Sequence, residues 1–414
     1  MAARFEKKIQ AQGHLVDSDL LSEAMDRIIR EGSAFRILDF TLGRTNEEPS
    51  SIEMMVEAPS ETGLTSLLEQ LNDLGFNPVE PAAAVYEPAP ADGVAPEEFH
   101  STTNHRTEVL REGKWIAVRD QRMDAAIVDR GEEGLCCVKL RDLCRGERVL
   151  VGLAGVRVVP EFTPRDRSDF AFMANDVSSE RQVRLAVERI AGLIRRVRRQ
   201  GKRIIWVPGP VVIHTGAGQD LAALTRAGFV DAVLTGNALA VHDVEYALFE
   251  TSLGVSLKDG HVIHLGHRHH MRAINAIRGA GGLKQAVESG ILARGIFHAL
   301  IERDVPFVLA GSIRDDGPLP DTLMDLLEAQ EAYARELQGA GLVIVLASML
   351  HGIGVGNMLP GSVPLVCIDI HPAVVTKLAD RGSAQTHGLV TDVGLFLHLL
   401  RGQLLDGGEG GGTP

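Results

Sequence analysis

The second half of the chain alternates short, continuously apolar segments with helical patterns, and this alternation constrains the fold more than any other feature. Segments that are apolar throughout are buried on both faces, so they indicate a mostly parallel sheet with helices on each side. An α/β domain is therefore predicted over residues 175–402. Its predicted strands are Arg203–Val207, Asp231–Leu234, Val305–Leu309, Leu342–Leu346 and Pro364–Ile368. Its predicted helices are Ser179–Arg198, Gln219–Ala227, Asn237–Leu248, Asp321–Gln338 and Ala373–Arg381.

Residues 1–80 have a different pattern, in the order β-α-β-β-α. A helix over Asp19–Glu31 precedes a strand over Phe35–Leu42, a returning strand over Ser51–Glu57 and a second helix over Thr62–Leu74. This order predicts a small ferredoxin-like, ACT-like α+β domain. Such modules bind amino acids as sensors or serve only to pack and pair subunits, and the sequence leaves both roles open.

The segments between and after these two parts are shorter. Residues 81–99 are rich in Ala, Pro and Asp and predict a linker. Residues 100–165 contain several short strand patterns and predict a small β-rich middle domain. The Gly-rich residues 403–414 predict a disordered tail.

Composition excludes several classes of protein. The formal net charge of −13 gives no general attraction to nucleic acid or anionic lipid. The four cysteines form no C-x-x-C pair, and no apolar run approaches the roughly 18 residues that span a membrane. The N-terminus lacks the apolar core of a secretion signal. We therefore expect a cytoplasmic protein that binds neither nucleic acid nor membrane.

Gly-rich turns follow the apolar strands at four places, which are Thr215–Gly218, Thr235–Asn237, Ala310–Gly317 and His351–Met358. A Gly turn before a helix lets backbone N–H groups approach a pyrophosphate, so the four together favour a dinucleotide site over ordinary tight loops. Asp369, which ends the last predicted strand, is typical either of a ribose-binding carboxylate or of a helix cap. The candidate cofactor-binding residues are Thr215, Gly216, Ala217, Gly218, Thr235, Gly236, Asn237, Ser312, Arg314, Asp315, Asp316, Gly317, Gly356, Asn357, Met358 and Asp369.

A second group of polar residues lies in the middle domain. Arginine forks suit a substrate carboxylate, and a neighbouring aspartate suits an ammonium group. The group therefore contains what an amino-acid substrate needs, although a surface salt-bridge ladder has the same spacing. The candidate substrate-binding residues are Asn104, His105, Arg106, Arg119, Gln121, Arg122 and Met123.

Histidines are concentrated at His261, His264, His267, His269 and His270. No cysteine or carboxylate lies at metal-ligand spacing within this run, so the sequence predicts polar lining or structural roles and no metal site. His242 and Asp243 follow the Thr235–Asn237 turn and suggest a proton relay, with an exposed helix surface as the alternative.

Taken together, these segments resemble the archaeal-type ornithine cyclodeaminases, also called the LOR/SDH bifunctional-enzyme family, and the C-terminal module of the cyanobacterial arginine dihydrolase/ornithine cyclodeaminase fusion. The resemblance covers about residues 5–400. The motifs that carry it are Gly13–Ser18, Thr103–Val109, Asp120–Asp124, His214–Gly218, Thr235–Asp243, Gly266–His270, Gly311–Pro318 and Val355–Pro360.

This resemblance implies an NAD-binding C-terminal domain of the deoxyhypusine-synthase-like Rossmann type, an ACT-like N-terminal fold, and conversion of ornithine to proline and ammonia. It implies no arginine hydrolysis, because the fusion's arginine-hydrolysing domain has no counterpart here. Arg106 or Arg122 is expected to bind the substrate carboxylate. Asp124 and Asp243, with His242 behind them, are the candidate catalytic residues. We expect a homo-oligomer with ornithine as its small-molecule partner. Two alternatives remain: an NAD-dependent amino-acid dehydrogenase of the saccharopine/lysine type, and a non-catalytic NAD-binding amino-acid sensor.

Overall fold

The computed structural model describes residues 5–13, 15–16, 20–44, 48–79, 82–159, 179–252, 255–256, 269–315, 317–382 and 386–406. The chain divides into two compact units. Unit 1 comprises Met1–Asp169 with Asn357–Ser362, and unit 2 comprises Phe170–Gly356 with Val363–Pro414. None of the helices in the described ranges is long and apolar enough to cross a membrane.

Unit 1 begins with a four-stranded antiparallel sheet and two helices. The elements are β1 (Phe5–Gly13), α1 (Leu20–Arg30), β2 (Ala34–Thr41), β3 (Ser50–Ala58), α2 (Glu61–Asp73) and β4 (Asn77–Pro78). The sheet order is β2-β3-β1-β4, which is the order that a ferredoxin-like βαββαβ fold requires. Strand β3 alternates between buried and half-buried residues, because one face of the sheet packs on the core beneath α1 and α2.

The rest of unit 1 consists of two small sheets. The strands are β5 (Val85–Pro88), β6 (Arg106–Arg111), β7 (Lys114–Ala117), β8 (Ala126–Asp129), β9 (Leu135–Val138), β10 (Arg148–Val151) and β11 (Val156–Val159). They pair in the orders β5-β10-β8-β9 and β11-β6-β7. The prediction of a linker over 81–99 is wrong for residues 85–88, because β5 pairs along its whole length with β10. The Pro and Ala content hid an edge strand, where proline is tolerated.

His100 gives unit 1 a predicted pH dependence. The residue is 7% exposed, and burial lowers the pKa of His100 from 6.5 to about 4. As the pH falls, the unfolded chain therefore protonates His100 before the folded chain does. The stability that the neutral His100 contributes is fully present above pH 6.5 and is lost as the pH falls to about 4. We expect the wild type to lose about 3 kcal/mol more of its free energy of unfolding over this range than His100→Gln. Urea unfolding at both pH values measures the difference. Equal losses in the two proteins would contradict the assignment.

Unit 2 contains a seven-stranded sheet in which every pair is parallel. Its strands are β12 (Arg203–Pro208), β13 (Ala232–Gly236), β16 (Phe307–Ala310), β17 (Thr322–Leu323), β18 (Ala340–Leu346), β19 (Leu365–Asp369) and β20 (Thr386–Val390), and β14 (Thr251–Ser252) and β15 (Val255–Ser256) form a separate hairpin. Its helices are α3 (Ser179–Arg199), α4 (Val211–His214), α5 (Gly218–Arg226), α6 (Asn237–Phe249), α7 (His269–Ala280), α8 (Leu283–Glu288), α9 (Ile296–Glu302), α10 (Leu326–Glu336), α11 (Met349–Met358), α12 (Pro372–Gly382) and α13 (Val393–Arg401).

The strand order of this sheet is β17-β16-β13-β12-β18-β19-β20. The chain builds outward from β12 in one direction, then returns to β18 and builds in the other. This order is Rossmann-like, as the resemblance predicted, and it places a topological switch point between β12 and β18. All residues of β18 are buried, which explains why the strand is apolar throughout.

Two predicted elements of unit 2 differ from those in the structure. His351-Gly352-Ile353-Gly354 belongs to helix α11, where the sequence predicted a Gly-rich turn. A Cβ on Gly352 would lie 2.8 Å from Val345 Cγ1, so this glycine allows the helix to pack closely against β18. The helix predicted over Asp321–Gln338 begins only at Leu326, because the side chain of Asp325 caps its first turn.

Candidate functional site

The turn that follows β13 is held by residues from neighbouring strands at the carboxyl edge of the parallel sheet. The Thr235 hydroxyl donates to the Pro208 carbonyl at 2.6 Å. The Asn237 side-chain oxygen accepts from the Leu319 backbone N–H at 3.0 Å, and its Nδ2 donates to Asp315 Oδ1 at 3.2 Å. The predicted residues after β13 and β16 are therefore brought together at one edge, where ligands of such sheets bind.

The loop after β16 uses its own polar groups to fix its shape. Asp315 Oδ2 accepts from the Ser312 backbone N–H at 2.7 Å, and the Ser312 hydroxyl accepts from the Arg314 backbone N–H at 3.2 Å. The Arg314 side chain is exposed and is the cation of this loop. Gly317 lies against Ile274, and Asp316 lies outside the described residues. Asp315 thus orders the loop, while Arg314 is available to an anion.

His351 is a residue of this edge that the sequence interpretation missed. Its Nδ1 lies 2.9 Å from the Tyr333 hydroxyl, which itself donates to the Thr235 carbonyl at 2.7 Å. The Tyr333 hydroxyl has only one proton, so His351 Nδ1 must carry the proton of their shared hydrogen bond. Burial also lowers the pKa of His351. This arrangement favours the tautomer with the proton on Nδ1 and the acceptor on Nε2, which lies 3.1 Å from the position that a Cβ on Gly236 would occupy.

The sequence interpretation also did not identify the residues at the switch point between β12 and β18. Gly209 follows β12, and a Cβ at this position would lie 2.3 Å from the carbonyl oxygen of Ala347, which follows β18. Ala347 has a φ of 45°, a left-handed conformation that costs energy for a residue with a side chain. Strain of this kind concentrates at ligand-binding positions. Only the sheet order identifies these two residues, because neither belongs to a Gly-rich motif.

The Thr215–Gly218 turn does not offer all its residues to a ligand. A Cβ on Gly218 would lie 3.0 Å from Ile213 Cδ1, and the residue is buried. The Cβ side of Gly218 therefore faces the core. Thr215, Gly216 and Ala217 line an open cleft of about 350 Å³ together with Asp220 and Asp392. Of these two carboxylates, Asp220 is paired with Arg401 at 3.1 Å and Asp392 accepts from the Leu395 backbone N–H at 2.9 Å.

Asp369 is placed at the carboxyl end of β19, as predicted. Its Oδ1 accepts from the backbone N–H of His371 at 2.8 Å, and the residue is 7% exposed. One carboxylate oxygen therefore stabilises the turn that leads into α12. This contact favours the structural reading of Asp369 over the ribose-binding one.

Asp243 caps the first turn of helix α9. Its two carboxylate oxygens accept from the backbone N–H groups of Ile296 at 3.0 Å and Phe297 at 2.9 Å. The side chain is buried, and burial raises the pKa of Asp243 to about 6. Because both oxygens are engaged inside the protein, the structure gives Asp243 a packing role rather than access to a substrate.

The two polar segments of unit 1 that the sequence singled out are joined by hydrogen bonds. The Thr102 hydroxyl donates to the Arg122 carbonyl at 2.6 Å. Gln121 accepts from the Thr107 backbone N–H at 3.1 Å and donates to the Thr103 carbonyl at 2.7 Å. Segments 102–107 and 119–125 therefore form one cluster, and Gln121 holds them together instead of facing open solvent.

The arginines of this cluster have different partners. Arg106 lies 2.5 Å from Glu108, which also binds Arg157 at 2.5 Å, so Arg106 belongs to a cross-strand salt-bridge ladder. Arg119 is exposed and donates to the Glu133 carbonyl. Arg122 is half-buried, and its Nε is a buried donor without a hydrogen-bond partner. Burial lowers the pKa of Arg122. A desolvated guanidinium with an unused donor is the arrangement that binds a carboxylate.

Three other predicted residues of this cluster differ in their surroundings. The buried Nδ1 of His105 also lacks a hydrogen-bond partner, and burial lowers the pKa of His105. Asp124 is exposed and has a φ of 57°. The Met123 backbone N–H donates to the Asn357 carbonyl at 3.1 Å.

Residues 357–362 group with unit 1 rather than with the parallel sheet. Asn104 Nδ2 donates to the Leu359 carbonyl at 2.6 Å, and the Asn104 carbonyl accepts from the Gly361 backbone N–H at 2.7 Å. Asn357 and Met358, which the sequence assigned to the cofactor, therefore group with unit 1, where Asn357 hydrogen-bonds to Met123. Their position after a Gly-rich segment of the sequence did not indicate this placement.

Family models match almost the whole chain. The model for "Arginine dihydrolase ArgZ-like, C-terminal, Rossmann fold" matches residues 188–400, and the first region of the same C-terminal part matches residues 106–187. The "LOR/SDH bifunctional enzyme conserved region" matches residues 6–105.

Named relatives fall into two length classes. The ornithine cyclodeaminase of Methanopyrus kandleri is 48% identical over 394 residues, which cover 95% of each chain. The bifunctional arginine dihydrolase/ornithine cyclodeaminase AgrE of Nostoc is also 48% identical, over 96% of this chain and 58% of AgrE. The chain therefore spans little more than half the length of the bifunctional relatives.

Solved structures agree with these matches. The apo structure of ArgZ, a cyanobacterial arginine dihydrolase, has a TM-score of 0.85 at 44% identity and covers 98% of this chain and 59% of its own. AgrE in a ternary complex with ornithine and NAD⁺ has a TM-score of 0.53 at 47% identity and covers 98% and 59%. The chain therefore belongs to the ArgZ-like, LOR/SDH family, as its motifs predicted, and archaeal members of that family are named ornithine cyclodeaminases.

Proposed function

We propose that this protein is an NAD-dependent ornithine cyclodeaminase, which converts ornithine to proline and ammonia without net oxidation. The observation that carries the proposal is the ternary complex of AgrE with ornithine and NAD⁺, at 47% identity over 98% of this chain. The relative from Methanopyrus kandleri, which has nearly the same length, supports the same reaction by its name.

The carboxyl edge of the unit 2 sheet fits a dinucleotide. It offers a switch point, a strand-end glycine at Gly236, the exposed cation of Arg314 and the neutral acceptor nitrogen of His351. A pyrophosphate needs close backbone approach and positive charge, and Gly236 and Arg314 supply these. We assign the cofactor to this edge, with the turns after β13 and β16 as its main contacts.

When bound, NAD⁺ would supply hydride chemistry, taking a hydride from the amine-bearing carbon of ornithine and returning it after ring closure. The protein must then manage charge and protons. We assign Arg122 to the substrate carboxylate, because its guanidinium is half-buried and its Nε is unpaired. Fixing the carboxylate orients the reacting carbon and the distal amine, and five-membered ring closure gains from this proximity.

Proton transfer is assigned to an acidic group of the substrate cluster. The α-amine must lose a proton as its carbon is oxidised, and ammonia must gain one as it leaves. Asp124 is the carboxylate of this cluster that is exposed and lies two residues from Arg122. We therefore keep Asp124 as the proton carrier and give Asp243 its capping role. In this proposal His242 is not needed for proton transfer.

Two other readings make different predictions. An amino-acid dehydrogenase of the saccharopine/lysine type would release reduced cofactor in step with turnover. A non-catalytic sensor would bind ornithine and NAD without releasing ammonia. The half-buried Arg122 beside the exposed Asp124 favours an enzyme, because a desolvated guanidinium and a free carboxylate suit binding and proton transfer at one amino acid. The ACT-like domain as an effector site, a homo-oligomer and a cytoplasmic location remain predictions.

A deuterium label tests the reaction. Ornithine deuterated at the α-carbon should yield proline that retains the deuterium, because the same hydride returns to the same carbon. Free NADH should not accumulate, and ammonia should form in equal amount to proline. Mass spectrometry of proline and absorbance of reduced cofactor measure both. Deuterium that accumulates in released NADH would identify a dehydrogenase, and binding without ammonia would identify a sensor.

A substitution at Gly236 tests the cofactor edge. A Cβ here would lie 3.1 Å from His351 Nε2 and 3.6 Å from the Ala310 carbonyl. We expect Gly236→Val to weaken NAD binding by at least about 10-fold, because the added methyl groups fill the approach to the strand end. Isothermal titration with NAD⁺ measures this. Gly354→Ala is the matched control, since nothing lies within 4 Å of its Cβ position. Equal affinity in both variants would move the cofactor away from this edge.

A further inference from the structure

Three side chains of unit 2 converge inside the protein without forming ordinary hydrogen bonds to one another. His242 and Glu245 lie three residues apart on α6, and His270 lies in the first turn of α7. His242 Nδ1 is 3.4 Å from Glu245 Oε2, and His270 Nδ1 is 3.7 Å from the same oxygen. One ligand atom from each residue lies within 4.8 Å of the others.

These groups are shielded from solvent. The Glu245 side chain is 0% exposed, His242 is 8% exposed and His270 is 34% exposed. Both histidine Nδ1 atoms are buried and lack a hydrogen-bond partner. A buried polar atom that stays unpaired costs about 1–3 kcal/mol, and a buried carboxylate needs a compensating positive charge. A cation between the three ligands would give both histidine Nδ1 atoms a partner.

Neighbouring residues orient these ligands. The Thr251 hydroxyl donates to Glu245 Oε1 at 3.0 Å, and it therefore accepts from His269 Nδ1 at 3.0 Å. The ring of His214 packs edge-on against His242, with centroids 4.8 Å apart, and is itself held by Ser252 at 2.6 Å. Hydrogen-bonded supports behind the ligands are typical of metal sites.

We propose that His242, Glu245 and His270 bind a divalent transition-metal ion of the Zn²⁺ type. In a tetrahedral site with bonds of about 2.0–2.1 Å, neighbouring ligand atoms lie about 3.4 Å apart. Two nitrogen–oxygen separations, 3.4 and 3.7 Å, are close to this spacing, and all three ligand atoms lie within 4.8 Å of one another. Two imidazoles and one carboxylate form a donor set that suits Zn²⁺ and leaves a fourth position for water.

The proposed ion links helix α6 to helix α7, which pack against each other. The sequence predicted no metal site because no cysteine or carboxylate lies at ligand spacing within the histidine-rich run, whereas the proposed ligands come from two helices. Of the two histidines of that run in the described residues, His270 is a proposed ligand and His269 hydrogen-bonds to Thr251. The proposal is independent of the cyclodeaminase reaction, since neither ornithine nor NAD enters it.

Metal retention by the purified full chain tests the site. After chelator treatment and desalting, the wild type should take up one equivalent of Zn²⁺ or Co²⁺ per chain and keep it through a second desalting. Bound Co²⁺ should show the intense visible absorption of tetrahedral coordination. The thermal midpoint should rise with added ion, because a ligand that binds only the folded state stabilises it.

Two ligand variants and one control decide the outcome. Glu245→Gln keeps the side-chain shape, and His270→Ala removes the most exposed ligand; both should lose the retained equivalent and the Co²⁺ absorption. Thr251→Val should weaken affinity by about 10- to 100-fold, as expected for a supporting residue. His398→Ala, a histidine on α13 with a 74% exposed side chain, should bind as the wild type does. Circular dichroism without metal checks that each variant folds. A wild type that retains no ion, or full retention by both ligand variants, would overturn the proposal.

Discussion

Replacing Arg122 with lysine is expected to lower kcat/KM for ornithine by about 10- to 100-fold. A lysine ammonium keeps the charge but cannot donate two parallel hydrogen bonds to a carboxylate. Charge-assisted hydrogen bonds contribute about 1.5–3 kcal/mol each, and 1.4 kcal/mol corresponds to a tenfold change. Steady-state ammonia release from ornithine measures the effect. If carboxylate binding also orients the reacting carbon, the loss should appear mainly in kcat. A higher concentration of ornithine should then not restore the activity.

Two further variants make this test specific. Arg106→Lys should lose less activity, because a lysine at this position can still pair with Glu108 in the salt-bridge ladder. Arg130→Lys is the control, since Arg130 pairs with Glu147 on the surface of unit 1 and lies outside the cluster. A larger loss for Arg106→Lys than for Arg122→Lys would transfer the carboxylate-binding role to Arg106. If Arg106→Lys and Arg122→Lys both turn over ornithine at the wild-type rate, the cluster is not part of the active site.

Asp243→Ala is expected to destabilise unit 2 by about 2–6 kcal/mol. The substitution leaves the buried N–H groups of Ile296 and Phe297 without acceptors, and each unpaired group costs about 1–3 kcal/mol. Glycine at position 295 allows the carboxylate to approach this closely, because a Cβ here would lie 2.7 Å from Asp243 Oδ2. Chemical denaturation followed by circular dichroism measures the free energy of unfolding.

Two further measurements complete the comparison with the wild type: the stability of a matched cap variant and the ornithine turnover of Asp243→Ala. Asp325→Ala removes the same kind of cap from α10, but at an exposed position, so a loss of about 1 kcal/mol is expected. The folded fraction of Asp243→Ala should turn over ornithine within a few-fold of the wild type at low temperature. A fall of about 100-fold or more in folded protein would instead restore Asp243 as the proton carrier.

The sequence by itself determined the elements and the family. Continuous apolar segments predicted five strands of the parallel sheet to within about two residues, since burial on both faces demands such segments regardless of their neighbours. Edge strands β5 and β20 were missed, because an exposed edge imposes a weaker pattern. The polar segments of unit 1 were recognised as a group from residue type alone, and the structure joins them through Thr102 and Gln121.

Tertiary structure decided the role of each individual side chain. Arg106 and Arg122 are equivalent by type and spacing, yet one pairs with Glu108 and the other retains an unpaired buried donor. Asp243 follows a catalytic-looking motif but caps a helix more than fifty residues away in sequence. Such outcomes depend on which distant backbone groups need a partner, and no local pattern encodes that.

The switch point and the histidine–glutamate cluster show the same limit. Gly209 and Ala347 meet only because β12 and β18 are neighbours in the sheet. His242 and Glu245 meet His270 only because α6 packs against α7. The sequence specifies burial and periodicity along one dimension, whereas a binding site requires distances in three, and those distances are set only when the helices and strands pack.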